Sequence, residues 1–128
     1  MTQENKQLLL KDLCGRFPYG VMMKVTPEGG GPGGVESYDL KLNIELLGVF
    51  SDFADAFKPY LRPMSSMTEE EISEFQKRLK IIKDVEQTLH FCNTVESIDW
   101  LNAHHFDYRG LIEKGLALEA PEGMYKND

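Results

Sequence analysis

The residues best equipped for chemistry are three histidines, His90, His104 and His105, with Cys92 and Asp107 nearby. Imidazole, thiolate and carboxylate are the ligand types of zinc. The spacing opposes that use. Structural zinc sites pair their ligands as C-x2–4-C and H-x3–5-H, and adjacent histidines on a helix point about 100° apart. The simpler reading is a helix C-terminus where imidazoles meet exposed carbonyls. A nucleophile would be Ser65, Ser66 or Cys14, but neither serine stands in a G-x-S-x-G elbow and Cys14 has no histidine beside it. Asp52 and Asp55 form a carboxylate pair of the kind acid–base hydrolysis uses. In a chain with 21 acids such pairs arise from composition alone. No catalytic residue, metal ligand or cofactor is expected, and the reading leans away from an enzyme.

Two further motifs have a structural explanation. GGGPGG at 29–34 could cradle a phosphate through its amides, but neither Lys-Ser/Thr nor a GxGxxG helix start follows. It reads as a flexible loop of a hairpin. KRLKIIK at 77–83 sets Lys77, Lys80 and Lys83 three apart and reads as the solvated side of a helix. The less ordinary features are aromatic–basic groups: Tyr60 with Arg62, and Asp107 with Tyr108 and Arg109. Tyrosine and arginine are enriched where proteins bind one another. These five residues are therefore the candidate binding site, for a protein partner.

The elements that must position them are readable in part. Residues 3–14 predict a helix, with Leu9, Leu10 and Leu13 on one stripe and Gly15 as its C-cap. VMMKV at 21–25 predicts a strand. Residues 38–46 alternate: Tyr38, Leu40, Leu42, Ile44 and Leu46 against Asp39, Lys41, Asn43 and Glu45. This predicts a strand over 36–49, paired with 21–25 across the glycine loop. Ser51 is read as the cap of a short helical turn that places Phe53 and Phe57 on one face, and Pro59 and Pro63 hold 58–63 extended. Thr68 and Glu71 form a capping box, with Met67 and Ile72 as its staple. Glu69 and Glu70 then favour the helix dipole, a simpler role than an acidic docking patch. Ile72, Phe75, Leu79, Ile82, Val85 and Leu89 step at helical spacing and predict a helix to about residue 90, with a break near 83–85. Asn93 (boxed with Glu96) or Thr94 caps the next helix. Asp107 caps a short helix over 108–114, residues 116–120 are a short strand, and the tail is frayed.

The whole is 128 residues, enough for one domain over 1–128, with 41% hydrophobic residues to fill a core. The net charge of −7 opposes direct nucleic-acid binding, which needs cations to displace counterions. No apolar run reaches the length of a membrane span, and no basic n-region precedes an apolar h-region. Two cysteines without a CxxC suit a reducing compartment, so a cytoplasmic location is expected.

LLLKDLCGRFPYGV (8–21), KPYLRPMSSMTEEE (58–71), IDWLNAHHFDYRGLI (98–112) and GLALEAPEGMYK (115–126) resemble a family of small uncharacterised proteins of gut Bacteroidetes. That family is associated with phage-like or mobile-element neighbourhoods. The resemblance implies an intracellular bacterial or phage-like protein and implies no activity and no site residues. The expected fold is α+β: an antiparallel hairpin or small sheet packed on one face by about three helices. The expected function is a non-enzymatic protein-interaction module. The alternatives are an acidic inhibitor or mimic acting on a nucleic-acid-binding protein, or a small metal-binding enzyme.

Overall fold

The structure, a computed structural model, describes residues 1–27 and 36–125. The glycine-rich loop at 29–34 therefore lies outside the described residues. The fold is α+β. Helix α1 (Gln3–Arg16) starts at Thr2, whose hydroxyl accepts the Asn5 amide. It runs past Gly15, which is no C-cap. A Cβ built there would stand 3.3 Å from Asn102 Nδ2, so the missing side chain serves the close approach of a later helix. The left-handed turn residue is Gly20, after a 3-10 turn over Phe17–Tyr19.

Strands β1 (Met22–Val25) and β2 (Tyr38–Lys41) pair antiparallel, as the alternation requires. The second strand ends at Lys41, far short of residue 49. Asn43 turns the chain by accepting the Leu46 amide, and α2 (Ile44–Phe53) follows. The alternation of 42–46 is overridden by this cap and by Leu46, Leu47 and Phe50, which are spaced to pack as a helix on the core. Ile44 is left exposed, and so is Tyr38 on β2. Phe53 is exposed while Phe57 is buried, so these two do not share a face. Phe50 is the ring that meets Phe57, at 6.4 Å.

Strand β3 (Phe57–Pro63) is the extended segment expected between its prolines, and it organises the sheet. It pairs antiparallel with β1 on one side. Two short parallel strands also pair with it, β6 (Phe106–Asp107) at Arg62 and Pro63 and β7 (Leu118–Glu119) at Tyr60 and Leu61. The five-stranded sheet is thus mixed, where an antiparallel hairpin or small sheet was expected.

Helix α3 (Glu69–Gln76) begins with the expected Thr68–Glu71 capping box and stops at Gln76. The expected helix to residue 90 is replaced by a two-stranded ribbon, β4 (Lys80–Lys83) and β5 (Leu89–Cys92). The turn explains the change. Asp84 Oδ1 accepts the amides of Glu86 and Thr88, each at 2.9 Å, which favours a turn over a helix. Gln87 closes the turn at φ 68°, a left-handed position that suits glycine. Gln87→Gly is expected to stabilise the ribbon by about 1 kcal/mol. Slower amide exchange at Ile82 and His90 in that variant would show it; unchanged exchange would count against the strain.

Helix α4 (Val95–Ala103) is capped by Thr94, boxed with Ser97 and not with Glu96. Asp107 caps no helix: 111–115 forms turns, and its carboxylate instead holds that turn by accepting the Leu111 and Ile112 amides at 2.8 and 2.9 Å. Only Leu118–Glu119 of the expected 116–120 strand pairs. The tail is pinned through Tyr125, whose hydroxyl accepts the Met22 amide and donates to Tyr60 O, both at 2.7 Å.

The main core gathers Leu9, Leu13, Met23, Phe50, Leu61 and Leu111 with their neighbours. A second cluster is built on Trp100, Leu101 and Phe106.

Candidate functional site

The register that pairs Arg62 with Phe106 and Pro63 with Asp107 brings both Tyr/Arg segments to one place. There they form a joint whose polar tips are internally engaged. Tyr60 is buried and donates to Asp39 Oδ1 at 2.7 Å. Burial, reinforced by that carboxylate, pushes its hydroxyl up to about 12. Arg62 holds Glu71 bidentately at 2.7 and 2.8 Å and lies 4.1 Å over the Phe106 ring. Its guanidinium keeps the Glu71 carboxyl below the usual range against the opposing effect of burial. Asp107 is buried and spent on two amides. Tyr108 donates to Asn102 Oδ1 at 3.0 Å, and Arg109 donates to Asp12 Oδ1 at 3.1 Å.

Asp12 is the hub. It is fully buried together with Arg16, which donates to it at 2.6 and 3.1 Å and to Phe106 O at 2.7 Å. The sequence reading missed this pair. Its signal was an Asp and an Arg four apart on the apolar side of the first helix.

The five candidates thus carry α1, β3, β6 and α4 into contact. The solvent-facing remainder is small: the Arg62 and Arg109 side chains are each 23% exposed.

The histidine group does not converge. His90 and Cys92 lie on β5, and His90 Nε2 sits 2.8 Å from Asp84 Oδ2. His104 is at the end of α4, with Nδ1 2.9 Å from Trp100 O. Among the described residues no three His, Cys, Asp or Glu side chains form a metal-ligand group. Asp52 and Asp55 border an open depression with Thr26, Phe53 and Ala56.

His105 is the strained residue of the joint, at φ 63°. Its ring stacks on Tyr125 at 3.7 Å, its carbonyl accepts the Arg62 amide, and its buried Nδ1 has no partner among the described residues. Burial, with the nearby Arg16, His104 and Arg62 charges, lowers its pKa to about 4 from the usual 6.5. Below pH 6.5 an unfolded chain takes up a proton that the fold refuses. Stability from this group is therefore complete above pH 6.5 and falls as pH drops toward 4. His105→Asn keeps a residue tolerant of positive φ and removes the titration. Urea denaturation between pH 6.5 and 5 should show the wild-type decline flattened in this variant; an unchanged slope would contradict the assignment.

The ribbon is the opposite of this engaged joint. Of its eight strand residues only Cys92 is partly buried. Ile81 is 56% exposed, Leu89 55% and Phe91 59%. The register pairs Ile81 with Phe91 and Lys83 with Leu89, so alternation puts these four on one face. Neither Lys80 nor Lys83 takes part in an ion pair among the described residues. The base of the ribbon is tied down: Thr94 Oγ1 donates to Arg78 O at 2.6 Å, and the Arg78 guanidinium donates to Glu74 O and Oε2.

Compared with family models, with curated proteins and with solved structures, the chain gives no match. Fold and surface define it in physical terms, as an α+β protein bearing an exposed apolar two-stranded ribbon. No helix among the described residues is long and apolar enough to cross a membrane.

Proposed function

We propose that this chain is a non-enzymatic protein-interaction module, with the 80–92 ribbon as its docking element. One observation carries the reading: Ile81, Leu89 and Phe91 form an exposed apolar face that neither hydrophobic cluster covers. Exposed apolar groups gathered on one face mark interaction surfaces more often than isolated ones do. A two-stranded hairpin is marginal in water by itself, and a cover would stabilise it. The Tyr60, Arg62, Asp107, Tyr108 and Arg109 group supports this role indirectly, by fixing the scaffold that presents the ribbon.

Paired affinity capture from lysate of the source organism tests the reading. Proteins retained by the wild type should be lost with the double variant Ile81→Ser, Phe91→Ser and kept with Arg109→Lys. Capture insensitive to the ribbon variant, or abolished by Arg109→Lys alone, would return the interface to the Tyr60–Arg62 and Asp107–Arg109 segments.

A further inference from the structure

We infer that the ribbon takes an extended, acidic and apolar segment of another protein as a third strand, added at the free edge of β5. This rests on the interaction-module reading and names its partner chemistry. The main chain supplies the first argument. The Asp84 amide donates to Thr88 O at 3.0 Å, which fixes the phase of the antiparallel ladder. Alternation then places Ile82, His90, Lys80 and Cys92 at hydrogen-bonded positions. Leu89 and Phe91 are left with N–H and C=O turned away from β4. No other strand pairs with β5 among the described residues. An added strand finds two donors and two acceptors there, spaced for an extended chain.

The two edges differ. Strand β4 carries lysine at both ends, the device by which proteins blunt sheet edges. Strand β5 reads Leu-His-Phe-Cys, with no lysine or proline to discourage pairing. The side chains of Leu89 and Phe91 also belong to the apolar face, so one incoming strand meets both features.

Charge sets the composition of the partner. The chain is at −7, yet residues 77–92 hold four cations and two carboxylates. Of those carboxylates Asp84 is consumed by the turn and by His90. Lys83, in no ion pair among the described residues, stands at the end of the apolar face. A carboxylate beside apolar side chains fits that face; a lysine there is repelled.

A second copy fits less well. Face-to-face pairing of two ribbons sets Lys83 of each copy into the same small apolar patch. The three apolar side chains offer roughly 300–400 Å², well under the ~800 Å² per partner of a stable interface. Added main-chain bonds make up that shortfall for a strand, not for a face.

The test is selection of a random dodecapeptide display library on the wild-type protein, discarding peptides that also bind Phe91→Asp. The expected consensus alternates apolar and acidic residues. Lys83→Glu should weaken the best peptide at least tenfold and gain affinity for the version with its acids changed to lysine. Phe91 lies outside both cores, and unchanged Trp100 fluorescence will show that Phe91→Asp is folded. A consensus of helical periodicity, a basic consensus, no enrichment over Phe91→Asp, or tighter binding of a single-stranded oligonucleotide overturns the proposal. So does a wild-type dimer that Phe91→Asp dissociates. Loss of natural partners in the ribbon variant alongside any of these results would leave the module reading standing and remove only the acidic strand.

Discussion

Asp12→Ala should lower stability by about 3–5 kcal/mol, the cost of stranding a buried charge. For a chain of this length that is a fall of roughly 10–20 °C in Tm. Asp12 and Arg16 are both wholly buried, and the carboxylate also receives Arg109. Without it Arg16 keeps, among the described residues, a single acceptor, Phe106 O, while Nη1 already has none. The reciprocal change is less severe. Arg16→Met removes the stranded guanidinium and leaves Asp12 with Arg109. Asp12→Leu with Arg16→Met replaces the pair by apolar groups of similar bulk and should recover most of the loss, because burying two charges costs nearly what their attraction returns. Urea denaturation of the three variants gives the order: Asp12→Ala least stable, Arg16→Met intermediate, the double variant nearest wild type. A loss under about 1 kcal/mol for Asp12→Ala would show that the pair is not held dry.

Phe106→Ala should cost a similar amount, about 3–5 kcal/mol. Phe106 is fully buried. Its ring stacks with Trp100 at 5.8 Å and 13°, and the Arg62 guanidinium lies over it. Truncation therefore opens a cavity, removes an aromatic pair and removes a cation–π contact together. Trp100 also meets Phe75 at 5.7 Å and His104 at 4.2 Å, so its fluorescence reports the cluster. Denaturation followed through Trp100 should show an earlier midpoint in Phe106→Ala, with Phe106→Leu between it and wild type. Equal stability of Phe106→Ala and wild type would mean the second cluster carries no weight in the fold.

What could be read from the sequence was local. The Thr68–Glu71 box joins residues three positions apart, and so does the cap at Thr94. The proline-bracketed strand 57–63 and the pairing of 22–25 with 38–41 follow from nearest-neighbour sterics and period-2 patterning. The failures come where two local patterns compete. At 43–46 both alternation and an Asn cap are present, and the cap wins because Leu46, Leu47 and Phe50 then reach the core. At 79–89 the apolar residues fit helical steps as well as strand alternation. The Asp84 side chain decides in favour of the turn, and no glycine at 87 announces it. The candidate site divided in the same way. Residue type marked the Tyr/Arg groups, but their partners Asp39, Glu71, Asp12 and Asn102 lie 6 to 97 positions away and become visible only in the fold. The ribbon was legible as a basic helix face, and its exposed apolar side could not be seen until the helix was replaced.

Several of the 21 acids have internal partners, among them Asp12, Asp39, Glu71, Glu74, Asp84 and Asp107.

Amide hydrogen exchange at Leu89 and Phe91, with and without a saturating amount of the best display-selected peptide, tests the docking role of the ribbon most directly. Both amides face outward in the free protein and become donors to an added strand. The expected result is at least tenfold slower exchange at these two positions, with the amides of Tyr108 and Arg109 unchanged. Exchange unaltered at Leu89 and Phe91, or slowed instead around Tyr108 and Arg109, would contradict it.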